Sequence, residues 1–182
     1  IDKLVELHKV DVTAAGLDSL GKGEGYVARQ ISGWSERYRN ARTPDVGDFE
    51  GVMAWLEEKK PAGEVAITLI HNDYRFDNVV LDQETLSVIG VLDWEMATLG
   101  DPLMDLGNSL AYWVQADDDP IFQLMRRQPT NAPGMMTRDE VVAYYGEKTG
   151  WKVENFDFYL VYGLFRLAGI VQQIWYRYFH QQ

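Results

Sequence analysis

Three short β-rich runs, Val65 to Ile70, Val79 to Leu81 and Val88 to Leu92, sit in the middle of a chain whose apolar residues otherwise recur at helical spacing. Runs so few and so short confine the chain to a mainly α architecture with a small antiparallel β region. The polar turn Asp82 to Thr85 joins the second and third runs as a hairpin. Ile1, Leu4, Val5 and His8 begin inside an amphipathic helix. Val27, Ile31, Trp34 and Tyr38 mark one face of a second helix, from about Tyr26 to Arg42, which Thr43-Pro44 ends. Asp48 is positioned to cap a third helix that runs through Lys60 to the breaker Pro61-Ala62-Gly63.

After the β region, Asp101-Pro102 is a helix-start signal, and the helix it opens carries Leu103, Leu106, Leu110 and Trp113. Thr137-Arg138-Asp139-Glu140 matches a capping box, and Gly150 stands where that helix would stop. A last helix starts near Asn155 and runs to about His180. It is apolar nearly all round, which predicts a central, buried helix with Trp175, Tyr176, Tyr178 and Phe179 in the core. The order is therefore three helices, a small β region and three helices.

Charge and composition narrow the function. Lys plus Arg is 17 against 28 Asp plus Glu, a net charge of −11, which argues against nucleic-acid partners and anionic membranes. With no cysteine, disulfides, thiolate metal sites and cysteine nucleophiles are excluded, which fits a reducing, cytoplasmic setting. The most apolar run, Phe158 to Val171, is too short to span a bilayer and contains Arg166. The chain opens on Ile1, inside a helix, so one domain of a longer protein is expected.

The densest chemistry lies in His71-Asn72-Asp73-Tyr74-Arg75-Phe76-Asp77-Asn78 and in Asp93-Trp94-Glu95. The first stretch links two β-runs, and the second leaves the end of the third. A hairpin between them would bring Asp73, Asn78 and Asp93 to one end of a small sheet. Two carboxylates and a carboxamide, all hard oxygen donors, suit Mg²⁺ and phosphate chemistry.

The pattern H-x-D-x-x-x-x-N, followed by an Asp further along, resembles the catalytic and metal-binding loops of the kinase superfamily. The metal loop reads Asp-Trp-Glu rather than Asp-Phe-Gly, and Gly100-Asp-Pro-Leu-Met-Asp-Leu106 comes shortly after it. This form is similar to the aminoglycoside phosphotransferase and choline kinase branch. It is most similar to the kinase-like domains related to those fused to acyl-CoA dehydrogenases, as is Tyr26-Val-Ala-Arg-Gln-Ile-Ser-Gly-Trp34. The resemblance implies that residues 1–182 are the helical C-terminal catalytic lobe of a protein-kinase-like phosphotransferase. It implies transfer of the γ-phosphoryl group of ATP, or another NTP, to a hydroxyl of a small molecule, with Mg²⁺. Asp73 would be the catalytic base and Arg75 would contact the transferring phosphoryl group. Asn78 and Asp93 would hold the metal. Glu95 would reach the metal or be structural. His71 would be scaffold, and Asp105 would anchor the catalytic loop. Hydroxyacyl groups are the acceptor class suggested by the dehydrogenase-linked domains, with aminoglycosides and choline-like alcohols still open.

Other features read as structure. Gly21-Lys22-Gly23-Glu24-Gly25 is preceded by no strand and lacks the full G-x-G-x-x-G spacing, so it is a linker rather than a phosphate cradle. Asp101 is a helix cap. Asp117 to Asp119 form a solvated loop, or an acidic surface for a cationic acceptor, and Asp77 is left open. No β-rich lobe with a Gly-rich loop and a strand lysine precedes Ile1, so the N-terminal nucleotide-binding lobe is expected outside this chain and the isolated lobe is expected to be inactive. A non-catalytic kinase-like binding module, a metal-dependent phosphohydrolase and a helical adaptor are the rival readings.

Overall fold

The structure, a computed structural model, describes residues 1–182. Its elements in chain order are α1 (Asp2–His8), α2 (Tyr26–Ala41), α3 (Glu50–Lys59), β1 (Thr68–Ile70), β2 (Val79–Leu81), β3 (Val88–Val91), β4 (Thr98–Gly100), α4 (Pro102–Ala111), α5 (Pro120–Met125), α6 (Arg138–Thr149) and α7 (Phe156–Phe179). The predicted class holds: helices dominate, and the β structure is two antiparallel pairs. The pair β2–β3 is the expected hairpin, with Val79 opposite Val91 and a bulge between Val80 and Leu81. The pair β1–β4, with Thr68 opposite Gly100 and Ile70 opposite Thr98, was not anticipated. Three residues, Thr98-Leu99-Gly100, are too few to show an alternating pattern by themselves.

These two pairs create the site. One connection, residues 71–78, carries the chain from β1 to β2. The other, residues 92–97, carries it from β3 to β4. The Leu92 N–H donates to the Asn78 carbonyl at 2.8 Å, closing the hairpin where both connections meet it.

Side-chain caps start three of the seven helices. Asp101 is the N-cap of α4: its carboxylate accepts the Leu103 N–H at 2.7 Å, and its other oxygen accepts the Val65 N–H at 3.1 Å. Thr137 and Glu140 complete the capping box of α6, and Gly150 ends that helix in the left-handed region. Asp48 does not cap α3. Phe49 holds the N-cap position with φ 56°, and the Asp48 carboxylate accepts the Glu50 N–H at 3.1 Å instead. An unpredicted short helix, α5, comes after the aspartate loop and is capped by Asp119.

The core sits where α7 crosses α4 and α2, built from residues such as Ile31, Leu103, Leu106, Tyr162 and Phe165. Two glycines permit the closest approach. A Cβ on Gly163 would lie 2.3 Å from the Gly107 carbonyl oxygen, and one on Gly107 would lie 2.3 Å from that of Tyr159. The expectation that α7 is buried all round fails beyond Gly169. Val171, Ile174, Trp175, Tyr178 and Phe179 are exposed, and Tyr176 is half-buried. The reason is length: α7 has 24 residues, about 36 Å, while α4 has only 10, about 15 Å. No helix of the structure is long and apolar enough to cross a membrane.

Gly163→Ala should destabilise the fold by about 2–3 kcal/mol or more, because the new methyl meets backbone rather than a side chain that can turn away. Urea denaturation measures this. Burial raises the Asp101 carboxyl to about 6, against the pull of its N–H donors. The unfolded carboxyl loses its proton near pH 4, so the stability Asp101 contributes is full below about pH 4 and is lost as the pH rises through 6. Asp101→Asn should remove that fall, on the order of 2 kcal/mol, from a comparison of urea midpoints at pH 4 and pH 7.

Candidate active site

The loop that leaves β1 turns sharply at Asn72, whose φ is 66°. The loop that leaves β3 does the same at Asp93, with φ 62°. Asn and Asp are the non-glycine residues that best tolerate this left-handed backbone, since their short polar side chains bond locally. Each turn bends the chain away from the line of its strand.

Asp105, fully buried on α4, holds the first turn in place. One of its oxygens accepts the Asn72 N–H at 2.7 Å. The other accepts the His71 N–H at 2.8 Å and lies 3.0 Å from Nε2 of His8. Burial alone would raise this carboxyl, but the His8 imidazole and the two backbone donors outweigh it and hold it below the usual carboxylate range. Nδ1 of His8 lies 2.6 Å from the Tyr145 hydroxyl, so α1 and α6 brace the same carboxylate.

His71 joins the two loops. Its Nδ1 accepts the Asp73 N–H at 3.2 Å, which leaves Nε2–H to donate to the Leu92 carbonyl at 2.8 Å. With both nitrogens engaged and the ring at 0% exposure, it has no free edge for acid–base work. Asn72 makes a second tie: its Nδ2 donates to the Met96 carbonyl at 3.0 Å, while its Oδ1 accepts from the Tyr26 hydroxyl at 2.9 Å and from Asn108 at 3.2 Å.

Asp73 follows on the first loop, and its side chain is about one-fifth exposed. Its Oδ2 accepts from Nδ2 of Asn78 at 2.9 Å and from a terminal nitrogen of Arg75 at 3.1 Å. Oδ1 lies 2.9 Å from Nε of Arg75, off the angle of a hydrogen bond, and so keeps its lone pairs. Arg75 is itself seated: its Cζ is 4.6 Å from the centre of the Tyr112 ring, and Nη1 is 3.3 Å from the Asp77 carboxylate. Asp93 and Glu95 are exposed on the second loop. Asn78 is buried, and with Nδ2 donating to Asp73 its Oδ1 is free to serve as a ligand.

A carboxylate from Asp93 and an amide oxygen from Asn78 are hard donors of the kind that would suit Mg²⁺. Nowhere do three His, Asp or Glu side chains converge as a preformed metal cage. The backbone bond from Leu92 to Asn78 brings the two segments that carry these donors side by side, and one or two protein donors is the sparse contribution that Mg²⁺ takes at nucleotide sites.

Other predicted residues have local duties. In the aspartate loop, Asp118 forms a two-pronged ion pair with Arg138 (2.5 and 2.7 Å) and Asp119 caps α5, so two of the three are not free for a cationic acceptor. In the glycine segment, carbonyls of Gly23 and Glu24 accept from Arg29, which closes the linker onto α2. Sequence reasoning missed His8, Asn72, Tyr112 and Gln128. Gln128, buried after α5, accepts the Phe76 N–H at 2.9 Å. It helps line a cavity of about 90 Å³ with Tyr74, Arg75, Phe76, Leu110 and Trp113. Position in the motif could have flagged Asn72; nothing in the sequence ties the other three to the loop.

Paired loops of this form on a helical body define the lobe of a kinase-like phosphotransferase fold. Residues 1–149 match the profile of the phosphotransferase enzyme family (APH), and the chain belongs to that family. Mouse acyl-CoA dehydrogenase family member 10 is 36% identical over 176 residues, 96% of this chain and 16% of that protein. Human member 11 is 33% identical over 181 residues, 98% of this chain and 23% of that protein. The chain thus spans about a fifth of the length of these curated relatives. A Ralstonia eutropha structure described as a candidate aminoglycoside phosphotransferase superposes with a TM-score of 0.83 at 31% identity, covering 97% of this chain and 54% of that one. An aminoglycoside-3′-phosphotransferase of type VIII, at 20% identity and TM-score 0.59, covering 89% of this chain and 57% of that one, shares the fold.

Asp105→Ala would strand two buried backbone N–H groups and the His8 imidazole. We expect a loss of about 3–5 kcal/mol in urea denaturation, with hydrogen exchange of the His71 and Asn72 amides rising ahead of the rest of the core.

Proposed function

We propose that this chain is the helical catalytic lobe of a small-molecule kinase that moves the γ-phosphoryl group of ATP, or another NTP, to the hydroxyl of a small acceptor. The observation that carries this reading is the state of Asp73: a carboxylate oriented by Arg75 and Asn78 through one oxygen, with the other left without a hydrogen bond. Oδ1 takes the hydroxyl proton as the acceptor oxygen bonds to the γ-phosphorus and the bond to the bridging oxygen breaks, releasing ADP. Arg75 lies beside the reacting groups and contacts the transferring phosphoryl, its planar fork suited to paired oxygens. Asn78 and Asp93 would hold Mg²⁺, with Glu95 in reach of the same loop. Bound there, the ion would neutralise phosphate charge. His71 and Asp105 keep the loop in register.

The chain acts joined to a further N-terminal lobe that supplies the nucleotide clamp. The names of the relatives and the largely apolar cavity beside Arg75 favour a hydroxyacyl acceptor over an aminoglycoside. The test is ADP formation from MgATP by the full-length protein across a panel of hydroxylated metabolites. ADP should appear only when an alcohol is present. Asp73→Asn should lower kcat about a hundredfold or more with an unchanged melting curve. Full activity in that variant, or phosphate release without any alcohol, would defeat the reading.

A further inference from the structure

The last helix, α7, has two apolar faces, and the fold buries one of them. Tyr162, Phe165, Gly169 and Gln172 are buried on the side that packs against the helices of the core. On the other side runs a second row: Leu160, Leu164, Leu167, Val171, Ile174 and Tyr178, spaced alternately by four and three residues. The first three are half-buried, and Val171, Ile174 and Tyr178 are 48%, 58% and 73% exposed. Trp175 is exposed beside them.

Single apolar side chains at a surface are ordinary, but a continuous row is not. Steps of four and three repeat in the manner of a heptad seam, where each side chain enters a hole between residues of a facing helix. The face turned toward α4 and α2 closes differently, through Gly163 and Gly169 against the neighbouring helices. The heptad row thus has the form of a helix–helix contact that the fold itself leaves without a facing helix.

Charge and area indicate what faces it. From Phe158 to Gln182 the chain has no acidic residue, although the whole carries a net charge of −11. Two copies repel each other over most of their surfaces, and this helix is where that repulsion is least. Its ends differ in sign, with Asp157 in the first turn and Arg177 in the last. Two such helices side by side in the same direction would set like charge against like. Antiparallel about a two-fold axis, each end meets the opposite charge and the opposite pole of the helix dipole. The spacing is self-complementary in that arrangement. With Leu160 of one copy opposite Tyr178 of the other, Leu164 falls opposite Ile174 and Leu167 opposite Val171. With Trp175, the row presents about 600 Å² per copy, so a pair would bury about 1,200 Å², the lower bound of a stable specific interface.

We propose that the exposed seam of α7 is a dimer interface, in which two copies of this chain pair their α7 helices antiparallel about a two-fold axis. The pairing does not depend on the phosphotransfer reading.

The experiment is sedimentation equilibrium of the full-length protein together with cross-linking between substituted positions. The wild type should associate with a Kd of about 10 µM or tighter. Full-length Leu167→Cys mixed with full-length Val171→Cys should form, on oxidation, a disulfide between the two positions that peptide mass spectrometry identifies. Either variant alone should not, because identical positions lie about a turn out of register, beyond disulfide reach. Ile174→Glu should remove the mixed disulfide and weaken association about a hundredfold or more, since it buries two unpaired charges per dimer. Tyr178→Glu, at a more exposed position, stands in if Ile174→Glu does not fold. A full-length protein that stays monomeric at about 100 µM overturns the proposal, whether another of its own segments then covers the seam or nothing does. So does an assembly that yields no mixed disulfide, or one whose disulfide the charged variant leaves unchanged.

Discussion

The loop that follows β1 hangs on one carboxylate that never meets water. Asp105 sits inside the body of the protein and accepts from two successive backbone amides, His71 and Asn72, while His8 approaches from another helix. Burying an ionised group costs several kcal/mol, and only charge-assisted bonds of good geometry offset it. The return is positional. A left-handed residue at Asn72 is a local expense of about 1–2 kcal/mol, and it persists because the surroundings permit no other path.

From that anchor the rest of the site is reached by short steps. His71 carries the register across to the carbonyl of Leu92. Asn72 carries it to Met96. Two loops from separate strand pairs thereby behave as one object, which matters because phosphoryl transfer is governed by placement and electrostatics more than by covalent help from the protein. Asp73 is consequently a carboxylate with a defined orientation, one oxygen tied and one open.

The two interior arginines have opposite surroundings. Arg75 is compensated from every side, by Asp73, Asp77 and the Tyr112 ring. Arg166 has an indole and nothing of opposite charge. Leaving a buried charge without a counter-ion costs stability relative to an apolar side chain of similar size.

The fold class, the capping box at Thr137, the Asp101 cap and the hairpin were legible because each is local: cap, turn and periodicity signals span a few residues. Their spacing around a hairpin grouped Asp73, Asn78 and Asp93; of these the structure joins Asp73 and Asn78 by a side-chain hydrogen bond, with Asp93 exposed on the second loop. What the sequence by itself determined was therefore the identity of the elements and the residues at their junctions. Tertiary structure alone decided that β4 exists, since three residues become a strand only against β1. It decided that the end of α7 is exposed, since burial depends on what lies opposite. It also decided that His8 supports a loop more than sixty residues away and that Arg166 has no counter-ion, because hydrogen bonds and charge pairing are set by distance in space, which periodicity along the chain does not record.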